Sequence, residues 1–444
     1  MQGHDGHGRP VVLVVVGTRP EAIKLVPLIL ALRDSGRYRT LVVSTGQHHE
    51  MVEEVFGLAD IRPDVDLWVG DARSALNERV STVMRRFDDF CRGSFPGIGV
   101  RPPTRSELWG GRLPALALVH GDTSSAMGAA LAAFHLRIPV VHVEAGLRTG
   151  GLNLSPFPEE LNRQVISCIA AFHLAPTPKN EENLVRENIS SSQIFVTGNT
   201  GVDALQWAAG LDVPFRDPRV GELHDTDARI VLVTAHRREN WGGGLAGIAE
   251  GVARLARSHP DTQFLVPRHP NPSVRAELSP PLEPLENVLL TETMRYTGMA
   301  RMLRRCHFVI TDSGGLQEEA PSLDKPVLVT RDTTERTEGV EAGTLRLVGC
   351  DPDRIEAQGA RLLDDPRAYA RMASAENPYG DGRAAQRIVA ALLHVAEGGA
   401  GPSPFGTGYT RLAVLEAAGY EVDEASTEVP LPQRPVEDPV QYPQ

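Results

Sequence analysis

Three places in the first half of the chain put acidic side chains where packing alone does not explain them. Asp122 follows an apolar run at 116–119, in His120-Gly121-Asp122-Thr123. Glu144 ends the apolar run 139–143, in the stretch HVEAGLRTG, and Glu159 and Glu160 lie in SPFPEELNR. An unpaired charge inside an apolar core is costly, so acids at the ends of such runs point to function. Carboxyl groups gathered in one cleft can have separated pKa values. That suits removal of a proton from one carbon and its return to the other face. Plainer roles exist for each: Asp122 as the acceptor opening a helix at 123–136, and Glu159 or Glu160 as helix caps.

Cationic groups form a second set. Gly17-Thr18-Arg19-Pro20-Glu21-Ala22-Ile23-Lys24 follows the run 11–16. Glycine makes the turn and proline suits a first helical turn, which brings Arg19 and Lys24 near a helix N-terminus, a natural anion site. His236-Arg237-Arg238-Glu239-Asn240 follows the run 230–234. Arginine binds phosphate oxygens in a forked, charge-assisted geometry, and His236 can donate to phosphate or act as an acid. Arg331 and Arg336, in RDTTER, are further phosphate candidates. The run 308–310 leads into Asp312-Ser313-Gly314-Gly315-Leu316-Gln317-Glu318-Glu319. Two adjacent glycines allow close approach of the backbone to a ligand, a helix start offers N–H groups to an anion, and the carboxylate pair one turn on suits ribose hydroxyls. None of these stretches is a GxGxxG or Walker loop, so nicotinamide and ATP find no support.

The elements carrying these groups alternate. Short Val/Leu/Ile runs at 11–16, 41–44, 116–119, 139–143 and 172–175 are separated by helical patterns, and the alternation repeats at 230–234, 263–267, 288–290, 308–311 and 327–330. Continuous apolar strands between helices predict parallel sheets covered on both faces. A chain of 444 residues is too long for one ordinary core. The expected fold class is α/β, with two doubly wound Rossmann-like domains and a cleft between them. The predicted domains are 1–197 and 198–382, the boundary lying in Val196-Thr197-Gly198-Asn199. Ligands in such sheets bind beyond the carboxyl ends of the strands, where nearly all the polar groups above lie. The net charge of −12 argues against a nucleic-acid or anionic-membrane surface. Cys91, Cys168, Cys306 and Cys350 form no CxxC pair, which fits a reducing, cytoplasmic setting and no zinc site. No apolar run is long enough to span a bilayer, and the first run is too short for a signal peptide. Residues 92–114, rich in Gly, Pro and Arg, are expected as a surface insertion. Residues 398–444 are expected as a mobile tail, dispensable for catalysis, with one short helix at 410–418.

Taken in order, GTRPEAIKLVPLI, GQHHEM, HGDT, HVEAGLRTG, PEELNR, TGNT, AHRREN, DSGGLQEEAPSLDKPVLV, RDTTER and NPYGDG resemble the bacterial non-hydrolysing UDP-N-acetylglucosamine 2-epimerases over residues 11–394. The resemblance implies a glycosyltransferase-B-like pair of Rossmann domains, with a C-terminal helix near 383–397 crossing back onto the first. It implies UDP-N-acetylglucosamine and UDP as partners, a homodimer, and no metal or other cofactor. The implied reaction is elimination of UDP to a 2-acetamidoglucal and re-addition with the opposite configuration at C2, giving UDP-N-acetylmannosamine. By the same resemblance Asp122, Glu144 and Glu159 are catalytic and His236 assists. Arg19, Lys24, Arg163, His236, Ser313, Gly314, Gly315, Glu319 and Arg336 line the substrate and UDP site. Gln47, His48, Glu50 and His269 match positions used for an activating second substrate molecule. The sequence departs from the pattern at Thr337, which stands where proline is usual, and at Arg268, where an apolar residue is common. The alternatives are a hydrolysing 2-epimerase releasing N-acetylmannosamine and UDP, a glycosyltransferase of the same fold, and a non-catalytic nucleotide-sugar sensor.

Overall fold

Val11–Val16 is six apolar residues with no polar interruption, and all six are buried. A run like this cannot offer one face to water, so it becomes a central strand with helices on both sides. In the computed structural model, which describes residues 8–70, 75–149, 156–334, 336–406 and 408–420, it is β1. The strands that follow are β2 (Arg39–Ser44), β3 (Val65–Asp66), β4 (Pro114–His120), β5 (Val140–Val143), β6 (Phe172–Ala175) and β7 (Ile194–Val196). They form one sheet in the order β3-β2-β1-β4-β5-β6-β7, every pair parallel. Val14 pairs with Val42 on one side and Leu118 on the other, and His120 pairs with Val143. The carboxyl ends of β1, β2, β4 and β5 therefore share one edge.

The second sheet is built in the same way from β8 (Arg229–Thr234), β9 (Thr262–Pro267), β10 (Val288–Thr291), β11 (Phe308–Thr311), β12 (Val327–Val329) and β13 (Leu345–Leu347). Its order is β10-β9-β8-β11-β12-β13, again all parallel. Both sheets are doubly wound, as expected from the alternating runs.

Small residues decide how closely the helices pack. On the first sheet, Gly128 in the helix Ser124–His135 sits in close contact, since a Cβ there would lie 3.2 Å from both Val80 O and Val83 Cβ. That brings the helix against Leu76–Ser94, where Val83, Phe87 and Cys91 join the core. On the second sheet, Gly251 and Gly359 do the same for Gly244–Ser258 against Pro352–Asp364: a Cβ would meet Ile355 Cβ at 2.8 Å and Leu255 Cδ2 at 2.3 Å.

The chain divides into two compact units. The second spans Leu205–Asp381, and the first takes the chain up to Ala204 and again from Gly382. The division falls inside the helix Thr200–Ala209, a few residues beyond the expected boundary. In the first unit the helix Ala384–Glu397 packs on Arg19–Asp34, its opening N–H groups of Ala384 and Ala385 donating to Asp203 at 3.1 and 2.9 Å.

Two expectations require correction. Residues 92–114 are not a loose surface insertion, because Phe95, Ile98 and Leu113 are buried in the first unit's core. Glu107 further ties the segment together by accepting from Arg101 at 2.7 and 2.9 Å and from Thr104 N at 3.0 Å. Nor is the described part of the chain after Gly398 a mobile tail. Phe405 and Val414 are buried, Phe405 N donates to Val196 O at 2.9 Å, and the helix Arg411–Ala417 packs on Pro178–Arg186. Residues 421–444 lie outside the described residues. Among the described residues no helix is long and apolar enough to cross a membrane.

Candidate active site

Each sheet reverses its strand order once, between β1 and β4 in the first and between β8 and β11 in the second. Crevices beyond the carboxyl ends at such reversals are where doubly wound sheets bind ligands. The turns leaving these strands are Gly17-Thr18-Arg19 and Gly121-Asp122 in the first unit, and His236-Arg237 and Asp312-Ser313-Gly314 in the second.

In the first unit the acids are held by cations and hydrogen bonds. Glu144 adopts left-handed backbone, φ 62°, as does Gly146, φ 87°. Gly146 is required there, since a Cβ would lie 2.2 Å from Asn180 O. The turn directs Glu144 Oε2 to Lys24 Nζ, with His120 Nε2 at 3.3 Å from the same oxygen. Burial alone would push the Glu144 carboxyl up. Lys24 and then His120 outweigh it and hold the group well below the usual carboxylate range. Glu144 is therefore an ionised group at neutral pH.

Asp122 is not the helix cap. Thr123 takes that place, its Oγ1 accepting from Ala126 N at 3.0 Å. The Asp122 carboxylate instead accepts from Arg163 Nη2 at 2.6 Å, while Arg163 Nη1 donates to Glu160 at 2.9 Å. Asn162 Nδ2 donates to Asp122 O at 2.8 Å. Glu159, half-buried, is the first residue of the helix Glu159–Ile169 that carries these partners. Pro158 occupies the N-cap position with no side-chain cap, so Glu159 and Glu160 are not capping residues.

Glu21 joins two of these turns. Its buried carboxylate accepts from Gly17 N at 2.8 Å and Thr18 N at 2.6 Å, and from Thr123 Oγ1 at 2.6 Å. Burial pushes its pKa up against these bonds. The turn bearing Arg19 is thereby fixed to the turn bearing Asp122. Arg19 Nε is buried with no hydrogen-bond partner among the described residues. A buried donor left unpaired is costly, and an anion would satisfy it.

In the second unit Asp312 is fully buried and organises two turns. Its Oδ2 accepts from His236 N and Arg237 N at 2.8 Å each and from Asn240 Nδ2 at 3.0 Å. Its Oδ1 lies 3.3 Å from His236 Nδ1, an ion-pair distance without hydrogen-bond alignment. A Cβ on Gly314 would stand 3.0 Å from Arg237 Nη2 and 3.2 Å from Arg336 Nη1, so two guanidinium groups converge over this glycine. Arg336 Nε donates to Glu318 at 3.0 Å. Ser313 caps the following helix by position, its N–H donating to Thr311 Oγ1 at 2.9 Å. A Cβ on Gly315 would be 3.9 Å from Glu319 Oε1. Arg331 pairs with Glu239.

Of the positions matched to an activating second molecule, Gln47 accepts from Ser125 Oγ at 2.6 Å and His48 N donates to Gly17 O at 3.0 Å, so both adjoin the Arg19 turn. Glu50 is exposed in the first turn of His49–Gly57. His269 stacks on His236 with ring centroids 5.7 Å apart. Burial and then the His236 charge push His269 down. Sequence reasoning passed over Glu21, His120 and Asp312 as site residues. All three stand inside the motifs quoted above, but their role is to hold other side chains, which a motif does not display.

Two doubly wound Rossmann-like units, with acids and guanidinium groups at the strand-order reversals, define a glycosyltransferase-B-like class of α/β protein. Within that class the chain belongs to the UDP-N-acetylglucosamine 2-epimerase family, whose profile matches residues 105–393. It is 44% identical over 387 residues to the UDP-N-acetylglucosamine 2-epimerase of Escherichia coli (strain K12), covering 86% of this chain and 98% of that protein. Against the Bacillus subtilis (strain 168) enzyme it is 44% identical over 384 residues, covering 86% and 94%. The crystal structure of UDP-GlcNAc 2-epimerase from Neisseria meningitidis bound to UDP-GlcNAc is similar at 38% identity and a TM-score of 0.75, covering 86% of this chain and 99% of that one.

Proposed function

We propose that this chain interconverts UDP-N-acetylglucosamine and UDP-N-acetylmannosamine, with no net hydrolysis, by eliminating UDP and adding it back. The observation that carries this reading is Glu144, held ionised by Lys24 and His120 on the edge that also carries Asp122. Epimerisation needs a base for one face of C2 and an acid for the other, and Asp122, Glu144 and Glu159 supply the set. In the forward direction a carboxylate takes the C2 proton. The C2–H electron pair becomes the C1–C2 double bond of the 2-acetamidoglucal, and the C1–O bond breaks with its pair going to the UDP oxygen. In return, that oxygen rebuilds the bond to C1 while a carboxyl group delivers a proton to the other face of C2. His236 donates to the departing phosphate, and Arg237 and Arg336, which converge over Gly314, neutralise its charge. In the first unit Arg19 Nε, unpartnered among the described residues, is an anion donor. Gly314 and Gly315 let the backbone approach it, and Glu319 faces ribose. Lys24 and Arg163 act on the substrate through the carboxylates they hold. The Neisseria relative, solved with UDP-GlcNAc, supports this substrate. A homodimer belongs to the same reading.

The test is incubation with UDP-N-acetylglucosamine in deuterated water. Deuterium at C2 of both UDP sugars, without free N-acetylmannosamine, is expected. Retained C2 hydrogen would sink the proton chemistry, and accumulating free sugar and UDP would replace it with the hydrolysing reaction. Asp122→Asn is expected to lower turnover by roughly 10²–10⁴-fold while UDP still binds. Near-normal turnover would remove Asp122 from the set.

A further inference from the structure

The turn that aims Glu144 is braced from a neighbouring helix, Pro178–Arg186. Besides the close approach of Asn180 O to Gly146, Asn183 Nδ2 donates to Gly146 O at 2.9 Å. Just past the helix, Glu187 grips Arg148 with two bonds of 2.6 and 2.7 Å. The same helix is gripped in turn by the chain's C-terminal segment, which lies beyond the family match ending at residue 393. Arg186 Nη2 donates to Ala417 O at 2.8 Å, and Tyr420 OH to Val185 O at 3.2 Å. Tyr409 and Arg411 face the fully buried Glu181. Leu415 and Ala418 pack on one small apolar cluster formed by Ala145, Ala175, Leu184, Val185 and Ile194. Ala145 is the residue after Glu144, so the C-terminal segment and the catalytic turn share a core.

We propose that residues 408–420 are a positioning element for Glu144, holding the helix Pro178–Arg186 and Ala145 so that the turn keeps its left-handed backbone. This rests on the reading of Glu144 as a catalytic carboxylate. The segment touches no reacting atom in this scheme. Its contribution is orientation, and a displacement of about 1 Å at a reacting group costs on the order of 10²-fold in rate.

The experiment uses the full chain carrying Val414→Asp and Leu415→Asp, which drive charge into the packed face of Arg411–Ala417. Expected are a fall in kcat of about ten-fold, UDP affinity within about two-fold of wild type, and faster amide exchange across 144–149. Faster exchange across 411–420 with wild-type kcat and unchanged exchange at 144–149 would overturn the proposal. Should the double variant not fold, Leu415→Ala and Tyr420→Phe serve instead. They are expected to give smaller kcat losses with the same unchanged UDP affinity, and wild-type kcat in both overturns the proposal equally. Glu144→Gln separates the two readings. An active Glu144→Gln chain refutes the role of Glu144, whereas an inactive one beside fully active C-terminal variants refutes the positioning element alone.

Discussion

Replacing Asp312 by asparagine keeps the shape of the side chain and changes only its charge and one atom. Three donors, His236 N, Arg237 N and Asn240 Nδ2, converge on Oδ2 at 2.8 to 3.0 Å. The amide oxygen must therefore take that place, because an NH₂ group there would face three donors. Hydrogen bonds to an ion contribute about 1.5–3 kcal/mol each and neutral ones about 0.5–1.5. Weakening three of them, partly offset by removal of a buried charge, leaves a net loss of about 1–3 kcal/mol. For a unit the size of Leu205–Asp381 that lowers Tm by roughly 2–12 °C. The functional effect is larger. The NH₂ group now lies at the Oδ1 position, 3.3 Å from His236 Nδ1. In the native chain no hydrogen bond joins Oδ1 to Nδ1, so Oδ1 acts on the ring through its charge: a carboxylate favours an N–H on the Nδ1 side, and an amide N–H presented there disfavours it. An imidazolium form also loses its counter-charge. Turnover of Asp312→Asn is expected to fall by roughly 10²–10⁴-fold, with UDP binding, measured by calorimetry, changed far less. Nitrogen NMR of the His236 ring reads the tautomer directly. A variant that melts lower yet turns over normally, with Nδ1 still protonated, would refute the positioning argument. One that melts like the wild type would refute the network argument.

Lys24→Met leaves burial less opposed at Glu144, so its carboxyl rises and the acid limb of the kcat/KM profile moves to higher pH; an unmoved limb would show that the pairing does not set the ionisation. Burial pushes the Glu181 carboxyl up to about 7, against Tyr409 and Arg411. A raised acid contributes stability in full below its unfolded value, near 4.5, and loses it as pH rises through 7, a change of about 3 kcal/mol at most. Glu181→Gln is therefore expected to raise Tm at pH 8 and not at pH 4.5, and equal shifts at both would contradict this. Glu21→Gln puts an NH₂ group against Thr123 Oγ1, since the two backbone N–H groups claim the amide oxygen. A fall in turnover of about ten-fold is expected from displacing the Asp122 and Arg19 turns, and a lower Tm with normal turnover would confine Glu21 to folding.

The strands were legible wherever burial on both faces forces an unbroken apolar run. The runs at 11–16, 172–175 and 308–311 carry the same limits in the structure as β1, β6 and β11. The two-residue β3, Val65-Asp66, and β13, whose Leu345-Arg346-Leu347 is interrupted by a charge, were not, because neither is an unbroken apolar run. The turn at Gly198 is real, φ 91°, but a turn marks the end of an element. Where one packed unit gives way to the next is a matter of contacts, and the helix Thr200–Ala209 straddles it. Residues 92–114 and 398–420 misled for a related reason. Gly, Pro and Arg make up most of 92–114, and a Gly/Pro stretch opens 398–420, while a few anchors, Phe95, Ile98, Leu113, Phe405 and Val414, decide where the two segments lie.

The candidate site divides along the same line. Strand-end positions were legible because parallel strands align their carboxyl ends, so Asp122 and Glu144 reach one edge by chain direction alone. Pairings were not, since Lys24 and Glu144 stand 120 residues apart and Arg163 and Asp122 stand 41 apart. In sequence, Lys24 reads as a cation beside a phosphate-binding turn, and the resemblance places Arg163 in the lining of the substrate and UDP site. In the structure each is paired to a carboxylate, whereas Arg19 Nε is buried without a hydrogen-bond partner among the described residues. That division has a chemical consequence. A cation on the diphosphate stabilises the charge that gathers there as the C1–O bond breaks, whereas a cation on a carboxylate sets the charge state from which a proton is taken. Removing Lys24 should therefore be read in the pH dependence of turnover, and removing Arg19 in the affinity for UDP.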